Sequence, residues 1–197
     1  MSKYELIVLF DGYSTTVEEG MKANCTCTLL KSEKNKIIID TRTPWDGDSL
    51  ITALQQQNIK PEDINYVICT HSHSDHIGCN YLFQNALHIV GKTCISRNDL
   101  YYDYDFKDNH VIDEYVKLIT TPGHTSECIT VLVQTQEGLI AIVGDLFEKK
   151  QDMDDEELWK CCSDFPEIQE ESRRKILEIA DFIVPGHGPM FKNPNKT

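Results

Sequence analysis

From Tyr66 to Cys69 the chain is apolar and β-branched, as a buried strand is, and it opens at once into T-H-S-H-S-D-H. His71, His73, Asp75 and His76 therefore fall within six residues at a strand end. Loops leaving a rigid strand are a usual seat of chemistry. Imidazole suits zinc and iron, and carboxylate completes or bridges such sites. A chain built this way must fold so that strand ends bring metal-capable side chains together.

The same punctuation recurs. The strand expected over Val116 to Thr121 stops at Pro122-Gly123-His124, that over Leu139 to Val143 ends in Gly144-Asp145, and that over Asp181 to Val184 ends in Pro185-Gly186-His187. Five of the seven histidines lie in these loops. Glycine lets backbone approach closely where ligands converge. Asp145, at the end of an apolar strand, is an expensive charge to bury unless paired or metal-bound. A catalytic zinc takes about three protein ligands and leaves a place for water. Seven ligands, with one carboxylate bridging, supply two such sites, and two metals about 3.5–4 Å apart can share a hydroxide and polarise a substrate oxygen.

Elsewhere Glu5 to Phe10, Thr26 to Leu30, Leu87 to Val90, Thr93 to Ile95 and Ile129 to Val133 read as strands. Ile37-Ile38-Ile39 predicts a strand buried on both faces, closed by Asp40. Asp40 is either a turn-forming carboxylate or a support behind the metals. Helices are expected over Asp48 to Gln57, over Ile77 to Phe83, through the acidic stretch Asp152 to Cys162, and over Pro166 to Ala180. In the last, Ile168, Ile176 and Ile179 fall on one side, and Glu170 to Lys175 reads as a solvated face. Arg97 to Asn109, with Tyr101, Tyr102 and Tyr104, reads as a surface loop, followed by a solvated His110, while His88 is a packing residue inside its strand.

At 197 residues, one domain is expected, with no repeat or linker to divide it. The net charge of −13 offers no basic footprint for a polyanion, although bound divalent metals would supply positive charge locally. No secretory signal and no membrane span is expected. The eight cysteines read as reduced, mostly buried thiols of a cytosolic or nuclear protein. Cys25-x-Cys27 and the adjacent Cys161-Cys162 match no metal spacing.

The motifs T-H-S-H-S-D-H-I-G, T-P-G-H-T, G-D and P-G-H-G, with Ile39-Asp40-Thr41, together resemble the metallo-β-lactamase superfamily over nearly the whole chain. That resemblance implies an α/β fold, the four-layer αββα sandwich, with metals at the edge between two sheets. It implies a first metal on His71, His73 and His124, a second on Asp75, His76 and His187, and Asp145 bridging them. Two zinc ions per chain are expected, with iron or manganese as alternatives. Arg42 stands where the superfamily commonly has glycine, which bears on loop shape and leaves the ligands intact.

Asp40-Thr41 with Pro44-Trp45, Gly144 to Glu148, the acidic helix around Trp159, and Ala180 to Pro189 resemble a narrower branch. That branch is described as a homodimeric endoribonuclease acting on the 3′ end of histone pre-mRNA. The resemblance implies an RNA substrate, a homodimer, and in-line attack on phosphorus by a metal-bridging hydroxide, with Asp75 also orienting the nucleophile. No general acid for the leaving oxygen stands out. Rival expectations are a glyoxalase II-type thioester or ester hydrolase and an iron persulfide dioxygenase. The ten residues after His187 leave no room for the helical domain typical of the former.

Overall fold

The computed structural model describes residues 4–103, 106 and 109–196. Six strands open the chain: β1 (Glu5–Phe10), β2 (Tyr13–Val17), β3 (Gly20–Asn24), β4 (Cys27–Lys31), β5 (Lys36–Ile39) and, after helix α1 (Gly47–Gln56), β6 (Tyr66–Cys69). The short helix α2 (Ser74–Ile77) leads to β7 (Leu87–Val90), β8 (Cys94–Arg97), β9 (Leu100–Tyr101), β10 (Asn109–Val111), β11 (Val116–Thr120), β12 (Ile129–Gln134) and β13 (Leu139–Gly144). Helices α3 (Glu157–Lys160) and α4 (Pro166–Ile179), then β14 (Phe182–Pro185) and β15 (Phe191–Lys192), complete it.

Two sheets form, in the orders β1-β4-β5-β6-β7-β8-β9 and β10-β11-β12-β13-β14-β15, with β2-β3 as a separate hairpin. Period-two alternation sorts each strand between two cores. Leu30, Ile37, Ile39, Ile68 and Ile89 of the first sheet meet Leu118, Val131, Val133, Ile140, Ile142 and Val184 of the second. The intervening residues Leu29, Ile38 and Val67 face the other way, onto Leu50 and Leu54 of α1. On the far side, Ala141, Val143 and Ile183 pack on Ile176 of α4. This is the αββα sandwich implied by the sequence, and Ile37 to Ile39, all fully buried, serve both cores.

Several expectations need correction. The helix near Ile77 runs from Ser74 to Ile77, and only a 3-10 turn covers Asn80–Leu82. Gly78 ends it because its N–H donates to the Arg42 carbonyl (2.8 Å), and a Cβ there would collide with the Thr43–Pro44 backbone. The acidic stretch splits into a 3-10 turn at Lys150–Met153 and α3. On α4, Ile168 and Ile179 are exposed, and the buried face is Gln169, Ser172, Arg173 and Ile176. That spacing of three, four and seven faces the sheet, while Ile168 and Ile179 lie on the flank. Arg173 is therefore not solvated: its guanidinium stacks on Phe147 (3.9 Å) and Trp159 (4.7 Å) and forks onto Asp152. His110 is half-buried on β10 and stacks on Phe106. The Arg97 to Asn109 segment carries β9, and Tyr104 lies outside the described residues.

Candidate metal centre

Strand direction builds the site. β5 and β6 run parallel, as do β13 and β14, and β11 shares their sense within the second sheet. The carboxyl ends of all five open at one rim of the sandwich. Asp40 follows β5, His71 and His73 follow β6, His124 follows β11, Asp145 follows β13 and His187 follows β14, while α2 presents Asp75 and His76.

All seven residues implied as ligands converge. Facing ligand atoms of His71, His73, His124 and Asp145 lie within 4.8 Å of one another, and so do those of Asp75, His76 and His187. His73 Nδ1 and His124 Nε2 are 3.1 Å apart, and Asp145 Oδ2 is 3.4 Å from His124 Nε2 and 3.6 Å from His71 Nε2. Donors around one tetrahedral ion with bonds of about 2.0–2.1 Å sit about 3.3 Å apart, so this spacing fits a shared ion. On the other side, Asp75 Oδ2 is 3.9 Å from His76 Nε2 and 3.8 Å from His187 Nε2. Asp145 reaches both groups, with Oδ1 3.2 Å from His76 Nε2 and Oδ2 3.2 Å from His187 Nε2. Backbone crowding at Gly186 permits this, because a Cβ there would strike Asp145 Oδ1.

Groups behind the imidazoles aim them. His76 Nδ1 donates to Asp40 Oδ2 (2.9 Å), and His187 Nδ1 donates to the Asn24 carbonyl (3.1 Å). Thr70 Oγ1 donates to Asp40 Oδ2 (3.0 Å) and takes the Nδ1–H of His71 (3.1 Å). Each of these rings is left with Nε2 facing inward, the tautomer a metal requires. Asp40, with φ of 55°, thus stands behind the site as a support. Arg42 keeps the left-handed backbone expected of glycine (φ 65°), held by Asp46 at 3.0 Å and by the Phe10 ring.

Buried atoms without partners give the test of fit. Nε2 of His71, Nε2 of His76 and Oδ1 of Asp145 are buried and accept or donate no hydrogen bond. Polar atoms left so are costly unless a ligand completes them. Nitrogen and carboxylate donors at these distances match divalent metals. Electrostatics agree. Burial, then the charge of His76, pushes His71 well below the ordinary histidine range, so it stays neutral. Burial opposes ionisation of Asp145, but His187, His76 and His71 overcome it and hold its carboxyl well below the usual range. Burial likewise lowers His187, and Asp145 more than offsets it, lifting His187 to about 9.

One neighbour escaped the sequence reading as a chemical group. Glu148 is 4% exposed, and its Oε2 is 3.9 Å from His187 Nε2. Its sequence signal is slight, a carboxylate three residues after Asp145. His88 lies outside the site, its Nε2 donating to the Phe83 carbonyl (3.0 Å). All eight cysteines are free, and five are buried. Among the described residues no helix is long and apolar enough to cross a membrane.

A sequence model described as the metallo-beta-lactamase superfamily matches residues 21–103. Metallo-beta-lactamase domain-containing protein 1 of Xenopus laevis is 40% identical over 97% of this chain and 82% of its own. The Homo sapiens protein of that name is 33% identical over 96% of this chain and 82% of its own. Among solved structures, a B. thuringiensis protein with N-decanoyl-L-homoserine at its active site shares the fold, with a TM-score of 0.73 at 20% identity over 95% of this chain and 94% of that one. Layering, convergent donors and sequence match together define a metal-dependent hydrolase of the metallo-β-lactamase superfamily. Within it, the chain belongs to the family of metallo-β-lactamase domain-containing protein 1.

Proposed function

We propose that the chain is a dinuclear endoribonuclease acting on the 3′ end of histone pre-mRNA, with zinc as the expected ion. The observation that carries the dinuclear reading is Asp145, whose two oxygens face the two donor groups at once. Bound there, two divalent ions supply a nucleophile at neutral pH and offset charge on a phosphate. His71, His73 and His124 would hold the first ion, Asp75, His76 and His187 the second, and Asp145 would serve both. Asp75, half-buried where most of the others are enclosed, also orients the attacking water.

Supporting an RNA substrate are an exposed imidazole of the site and exposed aromatic side chains on segments that lead to it. His73 is exposed, Trp45 on the loop after Asp40 is 88% exposed, and Tyr13 on the β2-β3 hairpin is 51% exposed. Exposed aromatic faces stack unpaired bases. With a net charge of −13, phosphate recognition falls to the ions. The working unit is a homodimer of the cytosol or nucleus, where the eight free thiols stay reduced.

The test is a parallel assay on single-stranded RNA and on acylglutathione thioesters, with His73→Ala as control. RNA cleavage lost in the control is expected. Thioester turnover far above RNA cleavage, and lost in His73→Ala, would establish the rival thioesterase instead.

A further inference from the structure

Glu148 is unexplained by the seven-ligand set. Its backbone is locked on both sides: its N–H donates to Asp152 Oδ2 (2.7 Å), and its carbonyl accepts from the His187 N–H (2.7 Å). Its carboxylate, by contrast, accepts no hydrogen bond among the described residues although the residue is 4% exposed. The arginine and lysine nearby are committed, Arg173 to Asp152 and Lys149 Nζ to the Ser14 carbonyl (3.3 Å), so the group facing the Glu148 carboxylate is His187. A buried carboxylate set against the Nε2 edge of an imidazole is a group that a metal on that imidazole can take as a further ligand. The side chain faces His187, a member of the second donor group: Oε2 lies 3.9 Å from His187 Nε2, against 3.8 Å for Asp75 Oδ2. Asp145, Glu148 and His187 form a third mutually close set of donor atoms, within 4.8 Å.

We propose that Glu148 is an additional oxygen ligand of the ion held by Asp75, His76 and His187. This rests on the two-ion reading above. The second position then offers three carboxylates and two imidazoles, a set that suits manganese, whereas the imidazole-rich first position suits zinc. The two positions differ in the ion they favour.

The experiment uses full-length protein stripped of metal, reloaded with one equivalent of zinc and titrated with Mn2+ under electron paramagnetic resonance. The native chain takes one Mn2+ beside its zinc. Glu148→Gln, nearly isosteric, weakens Mn2+ binding by about 10- to 100-fold, the scale seen on losing a group that supports a metal site. Its zinc affinity is unchanged, and Glu148→Asp falls between. Native-like Mn2+ affinity in Glu148→Gln would overturn the proposal while leaving the two-ion reading standing. Equal loss of both ions would also overturn it, marking Glu148 as a support of the fold. A native chain that takes one ion in all would sink the two-ion reading and the proposal with it.

Discussion

Glu148 and Asp152 lie four residues apart, are both nearly fully buried, and are treated in opposite ways. Asp152 is complete: Arg173 forks onto it at 3.0 and 3.2 Å, and the Glu148 N–H adds a third hydrogen bond. Glu148 has no arginine or lysine on its carboxylate and faces His187 Nε2 (3.9 Å), while Asp145 faces His76 and His187 (3.2 Å each). Where a buried charge serves the fold, the chain neutralises it with its own groups. Where it lies at the candidate metal centre, the chain sets it against imidazoles that a metal can also take.

The contrast can be broken from either side. Asp145→Asn removes the carboxylate shared by both donor groups. It should cut hydrolysis about a thousandfold, at about 1.4 kcal/mol per factor of ten, while circular dichroism shows the fold retained. Arg173→Ala strands Asp152 and empties the space against Phe147 and Trp159. A loss of about 3–5 kcal/mol is expected in urea unfolding, with added metal failing to restore it. A native-like denaturation midpoint would mean that the pair is not structural. Chelation of the native protein should lower stability by about 2.7 kcal/mol relative to ion at 100 times its Kd, and re-addition should reverse this. Asp40→Asn should weaken metal binding about 10- to 100-fold, read by competition with a chelating dye.

The smallest effect is a difference in sign with pH. His187 is raised to about 9 in the metal-free chain, above its unfolded value. Its contribution is fully present below about pH 6.5 and is lost as pH rises through about 9. Metal-free protein should therefore lose stability over that window. Metal affinity should rise over it, because a ligating imidazole must first shed its proton. Proton release on metal uptake near pH 7, followed in weak buffer, checks the same linkage.

The convergence of these seven residues was legible because each follows an apolar strand, and such strands are the most readable elements of any chain. Tyr66 to Cys69 and Leu87 to Val90 fall where their β-branched runs put them. The β2-β3 hairpin was not legible, since Thr15, Thr16 and Lys22 face solvent and leave no alternating apolar pattern. On α4, hydrophobicity found Ile176 but misplaced Ile168 and Ile179, because Gln169 and Arg173 take the buried face to bond the Asp145 and Leu146 carbonyls. Polar burial of that kind depends on partners distant in sequence. Glu148 was hidden for the same reason: nothing local separates a carboxylate aimed at a histidine 39 positions later from one in a surface turn.

The hydrogen bond from His187 to the Asn24 carbonyl spans 163 positions of the chain. It makes the centre a joint between the two ends of the chain. On a ribosome, donors for the first ion are all translated once Asp145 has emerged, but the second group waits for His187. A chain that stops short of His187 therefore lacks a member of the second donor group and the ring that the Asn24 carbonyl aims.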